Sequence, residues 1–253
     1  MRLFFLIILI ISGCSQRSIP SSLEKDVTPE MVRANQIERT ASFDALVGRG
    51  VVEFRWEDDD GKHKEQGDLD FWKHGDSISL RISKLGELLV WFGGDKNENW
   101  FFDMLGDETT LTMNSDGAMF SDITTALVLL GLAPLPNGEM NVSAGVITLA
   151  DEEGRVWTAT FDKVTHRPLQ MSVVEGEHIS SALHRSGIKV EIENLHALNW
   201  PASGGLIDFK DSRGSTEVKI SFSSLSTVVA EEPMDRVLNV SYLQKALKPS
   251  RIE

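Results

Sequence analysis

Apolar and polar positions alternate with a period of two over most of this chain, and a few helix-like stretches interrupt the rhythm. From residue 46 onward, Gly50, Val52, Phe54 and Trp56 alternate with Val51, Glu53 and Arg55, which predicts a half-buried strand. Asp58-Asp59-Asp60-Gly61 predicts a turn, residues 63–72 a second strand, and His74-Gly75-Asp76 another turn. Ile78, Leu80 and Ile82 then alternate with Ser77, Ser79, Arg81 and Ser83, the pattern of a one-sided strand. Lys84-Leu85-Gly86-Glu87 turns the chain into Leu88-Leu89-Val90-Trp91-Phe92. Gly93-Gly94-Asp95 turns it again, into short strands over 99–104 and 109–113. Past Pro136-Asn137-Gly138 the period of two resumes over 142–150, 156–162, 168–174, 187–197, 206–210 and 217–222.

Three segments read as helices. Thr28-Pro29 is an N-cap followed by proline at the first helical position. Met31, Ala34, Ile37 and Ala41 follow at helical spacing on one face, to about residue 43. Residues 121–132 are continuous, apolar and helix-length, and stop at Gly131 and Pro134. A short helix is expected over 240–247, in an otherwise polar tail. The class is mainly β (α+β): one curved antiparallel sheet or half-barrel of about 10–11 strands, with the first two helices over its concave face. The apolar sets point inward because the outer face is polar and acid-rich.

The N-terminus has a different pattern. Arg2 precedes an unbroken apolar run over 3–11, and Ser12-Gly13-Cys14 ends it. Nine residues make roughly 14 Å of helix against a bilayer core of about 30 Å, so this run is too short to span. It reads as the apolar core of a secretory signal. Ile11-Ser12-Gly13-Cys14 resembles the lipobox of bacterial lipoproteins, in which the chain is cut before the cysteine and the cysteine is acylated. Cys14 is the one cysteine of 253 residues, which suits a thiol consumed by lipid and excludes intramolecular disulfides. The expected layout is a signal over 1–13, a lipidated N-terminus and tether over 14–28, and one domain over 29–253. Two or more acyl chains anchor stably, so a membrane partner is expected through this end. Ser15 stands where aspartate favours inner-membrane retention in proteobacterial lipoproteins. The resemblance therefore implies the outer membrane, facing the periplasm.

Charge removes one class of partner. Of 25 Lys+Arg, loss of Arg2 with the signal leaves 24 against 38 Asp+Glu, a net of −14. Nucleic acid needs a basic patch and is not an expected partner. The chemistry of catalysis is also missing. His63, His74, His166, His178, His184 and His196 are scattered, with no H-E-x-x-H, C-x-x-C or G-x-S-x-G. Asp58-Asp59-Asp60 and Asp151-Glu152-Glu153-Gly154 read as charged hairpin tips. No metal, cofactor or catalytic residue is assigned, and the protein is not expected to be an enzyme.

Three segments, taken in order, resemble one family. Ser79-Leu80-Arg81-Ile82-Ser83-Lys84-Leu85-Gly86-Glu87-Leu88-Leu89 is similar to a strand–loop–strand of the outer-membrane lipoprotein receptor LolB, with Lys84 where the family usually has proline. Gly131-Leu132-Ala133-Pro134-Leu135-Pro136 is similar to the end of that family's mid-chain helix. Phe161-Asp162 and Arg167-Pro168-Leu169, ahead of the meander over 188–222, resemble both this family and the soluble carrier LolA. The resemblance implies a hydrophobic cavity under a helical lid for the acyl chains of other lipoproteins, with a LolA-like carrier as a further partner. It places the family's protruding, membrane-inserting leucine at Leu85.

Acyl chains need a dry apolar concavity. The expected lining is Val52, Phe54, Trp56, Leu69, Phe71, Ile78, Leu80, Ile82, Trp100 and Phe102, with Ile123, Ala126, Leu127 and Leu130 from the lid. The function expected is lipoprotein trafficking or insertion at the outer membrane. The alternative is a scaffold lipoprotein of the same fold, with a filled core and a protein partner.

Overall fold

A computed structural model describes residues 28–58, 61–114, 123–143, 146–161, 168–174, 189–193, 204–211, 214–229 and 231–253. The signal over 1–13, Cys14 and the tether before Thr28 lie outside these residues, as do His166, His178, His184 and His196.

The chain opens with helix α1 (Pro29–Ala41), begun as its sequence predicts: the Thr28 side chain accepts the Met31 N–H. The apolar face marked by Met31 and Ile37 is turned outward, with 48% and 58% of these side chains exposed. The inward face is Val32, Gln36 and Thr40. Two polar residues go inside because each is satisfied there. Gln36 Oε1 accepts the Leu135 N–H at 3.1 Å, and Thr40 Oγ1 donates to Gln36 O at 2.8 Å.

Strands β1 (Ala45–Asp58) and β2 (Gly61–His74) form a long hairpin in unbroken register from Ala45↔His74 to Asp58↔Gly61. β3 (Ser77–Lys84), β4 (Glu87–Gly94), β5 (Asn99–Asp103) and β6 (Thr110–Met113) add to β2 in turn. Helix α2 (Ile123–Leu129) follows. It closes at Gly131, whose φ of +67° lets the Leu132 N–H reach back to Leu127 O at 2.8 Å. Next come β7 (Gly138–Ser143), β8 (Val146–Asp151), β9 (Val156–Phe161), β10 (Pro168–Val174), β11 (Lys189–Glu193), β12 (Gly204–Asp211) and β13 (Gly214–Ser226). β13 pairs with β1 and so joins the two halves. Helices α3 (Glu231–Val237) and α4 (Val240–Leu247) precede a two-residue strand β14 (Arg251–Ile252), parallel to β6.

The result is one 14-stranded sheet in the order β14-β6-β5-β4-β3-β2-β1-β13-β12-β11-β10-β9-β8-β7. The expected strand over 142–150 is a hairpin of β7 and β8, and β14 is one more strand that its two residues could not announce. The sheet ends at β14 and β7, so it is open and not a closed barrel. It is also curled. Nine strand steps separate β4 from β8, about 43 Å if laid flat. Yet Phe92 of β4 and Leu149 of β8 are buried in one core with Val32 of α1 and Ile123, Leu127, Val128 and Leu129 of α2. The helices therefore lie in a concavity, and the sheet wraps them.

A second core lies on the other face. Leu243 of α4 packs there with Trp91, Trp100, Phe102 and Leu111. Strand alternation explains the division: Phe101 packs on the first core, while its neighbours Trp100 and Phe102 join the second. Among the described residues, no helix is long and apolar enough to cross a membrane.

Candidate functional site

The strands from β6 to β7 are antiparallel throughout, so their ends form two rims. One rim carries the β1–β2 and β3–β4 hairpin tips, the loop after β5, the β8–β9 turn and the start of β7. α1 also begins there. Arg33 donates to Pro136 O at 2.8 Å and to Gly138 O at 2.9 Å, at the entry to β7. The helix then descends to the opposite rim, where buried Lys73 donates to Phe43 O at 3.0 Å and Asp44 O at 3.3 Å. Burial lowers the Lys73 pKa, against the opposing pull of Asp44 and Asp76.

Leu85 sits on the first rim, at the tip of the β3–β4 hairpin, where Lys84 pairs with Glu87. Leu85 and Gly86 both have positive φ, +54° and +88°. Two such residues make the primed turn whose twist matches a tight hairpin, a turn that usually takes Asn-Gly. A leucine in the left-handed region costs roughly 1–2 kcal/mol. It gains nothing in return from the domain, since 96% of the side chain is exposed. Its neighbours are polar: Lys84 reaches across to Glu65 at 2.6 Å, and Glu87 is exposed.

The expected lining residues divide into groups. Val52, Leu69, Phe71, Ile78, Leu80 and Ile82 of the sheet meet Ile123 and Leu127 of α2 in the concave core, with Phe54 and Leu130 packed at its margin. Trp100 and Phe102 are not with them; they belong to the core under α4. Trp56 lies on β1 opposite His63 and Thr216, and Ala126 lies within α2.

The structure adds what holds α2 in place, and none of it is visible as a motif. Asp151, expected at an exposed tip, has 3% of its side chain exposed. Its Oδ1 accepts the N–H groups of Glu153 at 3.1 Å and Arg155 at 2.8 Å. Its Oδ2 accepts Arg155 Nε and Trp157 Nε1, each at 2.8 Å. Burial pushes this carboxyl up, but the Trp157 indole N–H and then Arg155 outweigh it, and the pKa ends below the ordinary value. Arg155 lies over the Trp157 ring, pairs with Glu153, and donates from Nη1 to Thr125 Oγ1 of α2 at 2.8 Å. One end of α2 is thus tied to the β8–β9 turn, and the loop after it is tied to α1 by Gln36 and Arg33. A sequence signal existed: an aspartate four residues before an arginine and six before a tryptophan, across a glycine turn. It has no fixed meaning without the fold.

Among the described residues, no group of three or more His, Cys, Asp or Glu side chains is placed to hold a metal ion. His74 Nε2 lies 3.9 Å from Asp44 Oδ2 at the surface.

No protein-family model matches the chain, and no curated protein matches its sequence. Solved structures resemble it in shape. A DUF1329 family protein from Desulfovibrio piger aligns with a TM-score of 0.49 at 9% identity, over 83% of this chain and 98% of the other. A protein described as an outer membrane lipoprotein-sorting domain, from Vibrio parahaemolyticus, aligns with a TM-score of 0.48 at 12% identity, over 80% and 95%. At these scores neither likeness assigns a residue or an activity to this chain.

Proposed function

We propose that this protein is a lipid-anchored lipoprotein of the bacterial envelope, held by acylated Cys14. It binds acyl chains against its apolar concave face and serves lipoprotein trafficking or insertion at the outer membrane, without catalysis. The observation that carries the reading is Leu85: a 96% exposed leucine in a left-handed turn position that a polar residue would fill at lower cost. Folding does not account for it, whereas a tip that dips into lipid does. Full burial of one leucine gains about 1.5–3 kcal/mol, enough to bias a loop toward a bilayer without trapping it. α2, with the loop after it, is the natural lid, since it covers the concave core and is tied by a few polar side chains.

A second reading is favoured by the tightness of that core, where Phe71, Ile78 and Leu149 are fully buried. In it the concavity is permanently filled and the domain is a scaffold for a protein partner. Native mass spectrometry of the purified chain separates the two: co-purified acyl lipid supports the first, a bare mass the second. Leu85→Glu tests the tip. It is expected to fold normally and to lower lipid transfer to liposomes; normal transfer by the folded variant would refute the role given to Leu85. The anchor has its own test. Palmitate labelling is expected in the wild type and absent in Cys14→Ser.

A further inference from the structure

The rim that carries Leu85 holds a second exposed leucine. Leu105 lies just past β5, with 68% of its side chain exposed. It is held in place: its N–H bonds Asp103 Oδ1 at 2.9 Å, and the Met104 N–H bonds Leu89 O at 3.0 Å. Register puts it level with the β3–β4 tip. Asp103 pairs with Val90, and Leu88 pairs with Ser83. Leu105 therefore stands within about two residues of Leu85 along the strands, roughly 7 Å.

The same rim is where the chain enters the domain, at Thr28 beside the start of β7. Thirteen residues lie between Cys14 and Thr28. A random coil of that length spans roughly 20 Å. From the opposite rim the chain would first have to run back along α1, about 20 Å for its 13 residues. An anchor at Cys14 therefore reaches a bilayer most directly from this rim.

The charge beside the leucines selects the kind of lipid. Glu87, Asp107 and Glu108 are exposed, and Lys84 is already paired with Glu65. A surface acidic around two apolar tips is repelled by anionic lipid and accepted by a zwitterionic one. The β1–β2 ribbon runs about five residues past Leu85 along the strands, so the rim is uneven and meets a plane obliquely, on its β3–β6 side.

From this juxtaposition we infer that Leu85 and Leu105 form a two-point dock for a zwitterionic phospholipid surface, which the domain meets with the rim where its tether begins. The inference rests on the proposed membrane role of Leu85 and adds a second contact, an orientation and a lipid preference.

The test uses the acylated full chain in phosphatidylcholine vesicles. Cys14 is the only native cysteine, so Leu85→Cys, Leu105→Cys and, on the far rim, Lys96→Cys can each carry one environment-sensitive dye. The expected result is a blue shift with quenching by brominated lipid at positions 85 and 105, and neither at 96. Both signals should weaken when phosphatidylglycerol is added. Lipid contact at 85 with water at 105 overturns the dock and leaves the reading of Leu85 standing. Water at both overturns that reading as well, and quenching at 96 overturns the orientation. Dye on the wild-type chain reveals a free Cys14 and removes the anchor. In the unacylated Cys14→Ser chain, Leu105→Glu is expected to lower vesicle partitioning about tenfold, the effect of half-burying one leucine. Unchanged partitioning refutes the second contact.

Discussion

Two tight turns on one rim, β8–β9 and β3–β4, use their residues in opposite ways. In the β8–β9 turn Asp151 and Arg155 are bound inward. Asp151 receives four hydrogen bonds, Arg155 joins it to Thr125 of α2, and Gly154, at φ +80°, takes the left-handed position. In the β3–β4 turn the left-handed position goes to Leu85, whose side chain the domain does not touch. Hydrogen bonds to a charged group are worth about 1.5–3 kcal/mol each, so the first turn is accounted for by the stability it provides. The second turn has a backbone cost of about 1–2 kcal/mol and leaves the leucine in water. A residue that lowers the stability of its own fold has to be explained by something outside the fold. That contrast separates a turn that holds α2 from a turn proposed to meet lipid.

The contrast breaks most visibly at Asp151. Asp151→Ala removes the carboxylate shared by Arg155 Nε and the Trp157 N–H, and leaves the buried indole N–H without its acceptor. We expect a loss of about 3–4 kcal/mol in urea unfolding, in the range for breaking a buried pair. A loss below about 1 kcal/mol would mean that the network behaves as an ordinary surface ion pair. Acid gives the same answer without a cavity. The folded carboxyl titrates below its ordinary value. Its stabilisation is therefore complete above about pH 3.9 and disappears as pH falls from there through the folded pKa. The stability gap between wild type and Asp151→Asn should be constant near neutrality and close below about pH 3.9. A gap that persists in acid would contradict the assignment.

A smaller change sharpens the lid. Thr125→Val removes the hydroxyl that accepts from Arg155 while keeping a β-branched side chain of similar size. The expected cost is about 1 kcal/mol. It should appear in hydrogen exchange as faster opening of the amides of α2, with those of β3 and β4 unchanged. Uniform acceleration would show that α2 opens only with the whole domain.

Much of this architecture was legible from the spacing of residues. Strand alternation placed β2 to β6, β9, β10 and β12 to within about two residues but only the middle of β13, and Thr28-Pro29 located the start of α1. Sequence failed where a polar residue does a core residue's work. Met31, Ala34, Ile37 and Ala41 have the better apolar spacing, yet α1 turns Gln36 inward, because the Leu135 N–H behind it needs an acceptor. Asp151 looked like a solvated tip for the same reason, since Arg155 and Trp157 are turned onto its carboxylate only when the β8–β9 hairpin forms. Trp100 and Phe102 were assigned to the concave face when the helix that covers their actual face, α4, comes some 140 residues later. Of the proposed membrane contacts, the sequence marked Leu85 by its turn and its resemblance. Leu105 needed the register, because nothing in Asp103-Met104-Leu105-Gly106 states which rim it occupies.

The smallest expected effect has the opposite sign from the rest. Leu85→Asn places a residue that tolerates the left-handed region in the turn type that prefers it. The native side chain makes no contact that would be lost. Removing the backbone cost should raise stability by about 1 kcal/mol, read as a higher urea midpoint with an unchanged slope. At the β8–β9 turn no substitution of Asp151, Arg155 or Trp157 is expected to stabilise. The same Leu85→Asn chain should insert less into phosphatidylcholine vesicles, since an amide replaces an isobutyl group at the tip. Stability and membrane contact would then move in opposite directions at one residue. A variant that is more stable and still engages lipid as well as the wild type would show that the leucine is incidental. A variant that is less stable would show that Leu85 has a packing role in the domain.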